Sequence, residues 1–195
     1  IFDIIQNDGY EIEIDDRRAK WNIEFPMIAE DHFGDKSWPE GHPVAGTPVI
    51  LRDYQVEIIN KFLANPQSIQ EIATGAGKTL MTASLSNLIE PYGRSIVIVP
   101  NKDLVTQTEE DYINLGLDVG VYFGELLTGS FRNVPIRWGL TGTVPKEDSD
   151  RLSLEVGLGE VVHQLAASDL QDQGVLSSCD ITILQMMDDV VYDNY

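Results

Sequence analysis

The sequence is poor in cysteine, histidine and basic side chains. Cys179 stands alone among 195 residues, so no intrachain disulfide can form, and a reducing cytoplasm is the expected setting. The three histidines, His32, His42 and His163, share no metal-ligand spacing, which argues against a histidine-based metal centre. Lys and Arg total 13 against 32 Asp and Glu, a net charge of −19. That field repels nucleic acid at long range and excludes a nonspecific DNA coat. It leaves room for a local groove of backbone amides and a few basic side chains. No run approaches the roughly 18 apolar residues of a membrane span. No signal peptide is visible, and the chain opens on Ile1 in what reads as mid-domain sequence, so a fragment is expected.

What is present is ordinary for a globular chain, with 43% apolar residues and length for one sizeable domain plus a small appendage. Tyr10 to Ile14 alternates apolar and acidic side chains, as a half-buried strand does. Residues 30–48 hold Gly34, Pro39, Gly41, Pro43, Gly46 and Pro48, a loop composition that predicts a boundary near residue 46. Leu51, Tyr54, Ile58, Ile59, Phe62 and Leu63 fall at helical spacing until Asn65-Pro66 stops them. A short apolar strand, Ser68 to Ala73, comes next.

Strands are also predicted at Ser95–Val99, Leu117–Phe123, Ile136–Thr141 and Ile181–Met186. The β-branched run at 95–99 suits a strand buried on both faces of a parallel sheet. Helices are predicted over Lys78–Glu90 and over 102–115, the latter ending at Gly116. Ser168 and Gln171 read as the capping box of a short helix stopped by Gly174. Trp138 reads as core, Trp38 as a linker residue covering the core, and His163 as structural. The acids Glu147-Asp148 and Asp188-Asp189 read as solvated faces, and 188–195 as a loose tail. Alternating strands and helices give an α/β fold with a doubly wound, mostly parallel sheet.

The chemistry concentrates in residues 72–79, Ile-Ala-Thr-Gly-Ala-Gly-Lys-Thr. The last three residues are the closing half of a phosphate-binding loop. Small residues let backbone N–H groups close around a β-phosphate, Lys78 supplies positive charge for the β- and γ-phosphates, and Thr79 offers a hydroxyl to Mg²⁺. The usual first glycine falls at position 72, which is Ile72 here. The rival reading is a glycine-containing strand-to-helix turn with a chance lysine.

Four stretches occur in order: Leu51-Arg-Asp-Tyr-Gln55, Ala73 to Thr79, Val97-Ile-Val-Pro-Asn101 with Leu104, Thr106 and Gln107, and Leu140-Thr-Gly-Thr143. Together they resemble the first RecA-like domain of superfamily 2 DNA helicases, over roughly residues 47–187. The similarity is nearest to phage UvsW-type, RecG-like recombination and repair helicases. The resemblance implies a RecA-like nucleotide triphosphatase domain preceded by an accessory-domain remnant and linker at 1–46. A tail at 188–195 would lead toward an absent second helicase domain. It implies ATP with Mg²⁺ as cofactors, DNA as partner through backbone contacts, and a cytoplasmic setting, that of the host if phage-encoded.

Residue by residue, it implies that Gln55 reads adenine, with Arg52 near the same base. Thr74, Gly75, Ala76, Gly77, Lys78 and Thr79 would hold the nucleotide, Lys78 and Thr79 as catalytic residues and Thr79 on Mg²⁺. Pro100, Asn101 and Gln107 would touch DNA, and Thr141 and Thr143 would couple nucleotide state to DNA grip. The blander readings are a solvated helix start for Arg52 and Gln55, helix capping for Asn101, a polar helix face for Gln107, and turn hydroxyls for Thr141 and Thr143.

The family's acidic motif, Asp-Glu-x-His or similar, is missing. Only Gly124 to Pro135 separates two predicted strands, and Glu125 is the sole acid there. The resembled family has a longer connection with at least one more strand, so the chain is expected to be shortened near 124–135. Its lost strand would leave sheet edges open to pairing with a second copy. A nucleotide- or DNA-binding module without turnover is therefore the rival to an ATPase motor. A small kinase is a third reading, which the 52–55 and 141–143 stretches oppose.

Overall fold

A computed structural model describes residues 9, 23–121 and 134–178. Helix α1 (Asp53–Ala64) buries Tyr54, Gln55, Ile58, Ile59, Phe62 and Leu63 on one face, the stripe expected from the helical spacing. Asn65 ends it with its backbone N–H on Phe62 O. Strand β1 (Gln67–Ile72) follows, and its Ser68, Ile69, Gln70 and Ile72 are buried. After the 73–77 loop comes α2 (Lys78–Ile89), with a 3₁₀ turn at Glu90–Tyr92. Next are α3 (Lys102–Asn114), β2 (Arg137–Thr141), α4 (Asp148–Leu158), β3 (Glu160–Leu165) and α5 (Ala167–Asp172).

The sheet runs β2-β1-β3, all parallel, with β1 central. Glu71 lies opposite Thr141 on one side and Gln164 on the other, so the carboxyl ends of all three strands are level. A parallel sheet with crossover helices is the α/β class expected. The core joins α1, the end of β1, α2 and Tyr112 of α3 with Phe33 and Val49 from the preceding segment. Val49 N–H donates to Lys36 O at 2.9 Å, and Leu51 N–H to Glu30 O at 2.9 Å. Trp38 packs on this core and stacks on His42 at 4.1 Å. Trp138 also packs on it, tilted against Phe62, with Nε1 donating to Asn65 O at 3.1 Å.

Three expectations are corrected here. Residues 95–99 form no strand: Ile96 and Ile98 are 61% and 53% exposed rather than buried on both faces. Residues 117–121 form none either; Leu117 N–H returns to Tyr112 O at 3.0 Å as part of the α3 end. The physical reason is shared. A strand exists by pairing, and among the described residues neither segment pairs with any strand of the β2-β1-β3 sheet. β-branched composition alone supplies no neighbour.

The third correction concerns α5, which starts earlier than Ser168. Its cap is at Ala166, whose N–H donates to the Asp169 carboxylate at 2.9 Å, while the Gln171 amide donates instead to Ser177 O at 3.0 Å. The strands predicted at 10–14 and 181–186, the residues 122–123, most of the 124–135 connection and the 188–195 tail lie outside the described residues. Helix α4 and strand β3 were not anticipated.

Candidate nucleotide site

The candidate site lies where the carboxyl end of β1 turns into α2, the edge at which open parallel sheets place ligands. Gly75 and Gly77 turn the loop at φ +87° and +81°, the left-handed region glycine enters without strain. Gly77 is also held close: a Cβ there would lie 2.6 Å from Gln55 Nε2. Ala76 between them is fully buried, and its carbonyl is the anchor of the loop. It accepts from Gln55 Nε2 at 2.9 Å and from the Tyr54 hydroxyl at 3.1 Å. Arg52 in turn donates to Tyr54 Oη at 3.0 Å. The first turn of α1 is thus bolted to the 73–77 loop, which fixes where the loop's amides point.

Gln55 is used at both ends. Its Oε1 accepts the Arg52 N–H at 3.0 Å, closing the start of α1, while its amide nitrogen holds Ala76. It is 4% exposed. Lys78 Nζ donates to Ile72 O and Ala73 O at 2.7 and 2.9 Å, folding back over its own loop. Partial burial lowers its pKa from the ordinary lysine value. Thr79 is half-buried in the first turn of α2. Thr74 is exposed at the loop crest.

The end of β2 meets this loop. A Cβ on Gly142 would lie 3.4 Å from Thr74 Oγ1 and 3.9 Å from Lys78 Nζ. Thr141 Oγ1 donates to Thr143 O at 2.9 Å and accepts the Thr143 N–H at 3.2 Å, so the hydroxyl shapes the turn. Glu71, which the sequence did not single out, ties the layer together: Oε1 accepts the Val144 N–H at 2.9 Å and Oε2 accepts from Gln164 at 2.8 Å.

Pro100, Asn101 and Gln107 are all exposed, at the start and along the outer face of α3. Asn101 caps α3, its Oδ1 accepting the Leu104 N–H at 2.9 Å. The structure therefore brings Arg52, Gln55, Thr74 to Thr79, Thr141 and Thr143 around one loop. Among the described residues no hydrogen bond joins Pro100, Asn101 or Gln107 to that loop. Tyr54 was legible only as a core position, because helical spacing reports burial and not what a hydroxyl touches.

The described residues contain no group of three or more His, Cys, Asp or Glu able to hold a metal ion, and no helix long and apolar enough to cross a membrane. A divalent ion would rely on Thr79 and on ligand oxygens. The chemistry of the donor set fits a nucleotide-borne ion: one hydroxyl in the first turn of α2, behind a loop bent at Gly75 and Gly77.

A family model described as "Type III restriction enzyme, res subunit" matches residues 48–146, just over half of the chain. The DNA 3'-5' translocase XPB2 of Sulfurisphaera tokodaii is 34% identical over 76 residues. That alignment covers 39% of this chain and 17% of the relative, so the chain spans a minor part of the relative's length. The loop, its Gln55 clasp and the Thr141–Thr143 turn all fall inside the matched span, and the chain belongs to the type III restriction enzyme res-subunit family, a RecA-like domain of superfamily 2 helicase type.

Proposed function

We propose that this domain binds ATP with Mg²⁺ at the 73–79 loop and is the first motor domain of an ATP-dependent DNA helicase or translocase. The observation that carries this reading is the convergence of Lys78, the Gln55 clasp and the Gly142 turn on one glycine-bent loop. Lys78 would leave its two loop carbonyls for the β- and γ-phosphates, and Thr79 would hold the ion. With the ion bound, charge on the transferred phosphoryl group is neutralised. Thr141 and Thr143, beside the loop, would report its state to DNA held near Pro100, Asn101 and Gln107.

The name of the translocase relative supports DNA as the partner. The finer reading is a UvsW-type, RecG-like enzyme of recombination, repair or fork processing, working in a host cytoplasm. It rests on the order of the four motifs. The domain limits proposed are 1–46 for an accessory remnant, 47–187 for the motor domain and 188–195 for the exit linker.

A second reading is favoured by the short 124–135 connection, which holds no Asp-Glu pair. On it the chain binds nucleotide or DNA without turnover. DNA-stimulated phosphate release separates the two: a motor shows it and a module does not. In either case Lys78→Ala should abolish ATP binding, and unchanged affinity in that variant would refute the site. Exposed Ile96 to Ile98, and the one-sided pairing of β2 among the described residues, also favour a strand-exchanged homodimer. A monomeric mass at high concentration in light scattering would rule it out.

A further inference from the structure

The turn after α5 has no part in the readings above. Gly174 reverses the chain at φ +70°, and its N–H donates to Gln171 O at 2.9 Å. Val175 and Leu176 N–H both donate to Leu170 O, at 2.8 and 3.1 Å, and Leu170 is fully buried. The turn is therefore a fixed shape rather than a loose exit. It is also set against the phosphate loop, because a Cβ at Gly75 would lie 2.8 Å from Leu176 Cδ2. Gln173 and Val175 line an open cleft of about 480 Å³ with Glu30, Leu51, Arg52, Asp53 and Tyr54. Tyr54 belongs to that wall while its hydroxyl holds Ala76, so the cleft and the phosphate loop share a side chain.

The chemistry of the cleft selects what can enter. Glu30 and Asp53 repel phosphate but accept from a neutral ring's exocyclic amino group. Val175 is half-buried and offers an apolar surface, and the exposed Gln173 amide both donates and accepts. Gln55 is 4% exposed and each end of its amide already holds one partner within the protein, so a base in the cleft gains from a second, exposed polar reader. Resting on the nucleotide-site reading, we infer that the Gln173–Leu176 turn is the second wall of the base subsite. It takes the purine base of a nucleoside triphosphate between itself and the Arg52–Tyr54 turn, with Leu176 fixing the wall to Gly75.

The test compares ATP with inorganic tripolyphosphate, both with Mg²⁺, on the whole chain. Gln173→Ala is expected to weaken ATP about tenfold, the loss of one hydrogen bond to the base, and to leave tripolyphosphate unchanged. Its melting temperature should not move, because the side chain is exposed. A photoreactive azidoadenine triphosphate should label the 173–176 peptide of the unaltered chain. Unchanged ATP affinity in Gln173→Ala, or label confined to other peptides, would overturn the proposal. A chain that binds neither ATP nor tripolyphosphate would overturn it together with the nucleotide-site reading. Tripolyphosphate binding without any gain from the base would overturn it alone.

Discussion

Gly77→Ala tests whether the phosphate loop and the first turn of α1 act as one unit. Gly77 has φ +81°, and an L-residue in that region costs about 1–2 kcal/mol. The new Cβ would lie 2.6 Å from Gln55 Nε2, inside contact distance, so the amide must leave Ala76 O. Losing that bond costs about 0.5–1.5 kcal/mol, toward the lower end because the Tyr54 hydroxyl still serves the same carbonyl. Together the loss is about 1.5–3 kcal/mol, or a fall in Tm of about 3–12 °C for a chain of this size. Thermal unfolding by circular dichroism measures the first quantity. Titration with ATP measures the second, and affinity should drop because the loop amides are no longer held. A Tm within about 1 °C of the parent, together with unaltered ATP affinity, would refute the claim that Gln55 and the loop are mechanically joined.

Other expectations concern stability. Gly159 joins α4 to β3 at φ +115°, and a Cβ there would lie 2.2 Å from Gln67 O, which belongs to the central strand and cannot yield. Gly159→Ala should therefore cost more than about 3 kcal/mol, whereas Gly157→Ala, a helical position facing open space, should stabilise by about 0.5–1 kcal/mol. Urea unfolding of the two variants checks the pair, and equal effects would contradict the packing at β1. His163 has its pKa lowered, first by burial and then by Lys61, whose Nζ lies 2.7 Å from Nδ1. Below the ordinary histidine value the unfolded chain then binds the extra proton, so stability is complete above pH about 6.5 and falls as the pH drops through that window. His32, lowered mainly by burial, adds in the same direction. Tm should fall as the pH drops below about 6.5, and His163→Gln should flatten part of the slope; identical slopes would remove His163 from the effect.

Local signals in the sequence carried far where the chemistry is local. The α1 stripe, its stop at Asn65-Pro66, the strand-loop-helix around Lys78 and the α3 stop at Gly116 all depend on side chains within one or two turns. Pairing partners are a different matter. Ser95 to Val99 has the composition of a buried strand, yet burial needs neighbours on both sides, and sequence composition does not reveal their absence. Strand β3 was missed for the complementary reason. Glu160-Val-Val-His-Gln-Leu165 carries polar residues that only its place beside β1 makes tolerable, Gln164 through Glu71 and His163 through Lys61. At the site, the glycines and Lys78 were visible because a phosphate loop is a contiguous pattern. The roles of Tyr54, Glu71 and Leu176 arise between segments brought together by folding, across 22, 73 and more residues of chain.

On the proposed reading, the contact of Lys78 with Ile72 O and Ala73 O would make the loop a competitor for its phosphate ligand. An incoming molecule must offer the ammonium more than two carbonyl oxygens already provide. A nucleoside monophosphate, with no β-phosphate to exchange for them, has little to offer. A triphosphate would replace both carbonyls with charged oxygens. Discrimination by phosphate number would then begin with the loop's own contacts, as a threshold on what can dislodge one side chain. The same threshold would let the loop return to a satisfied state after product leaves, without passing through an exposed, unpaired lysine.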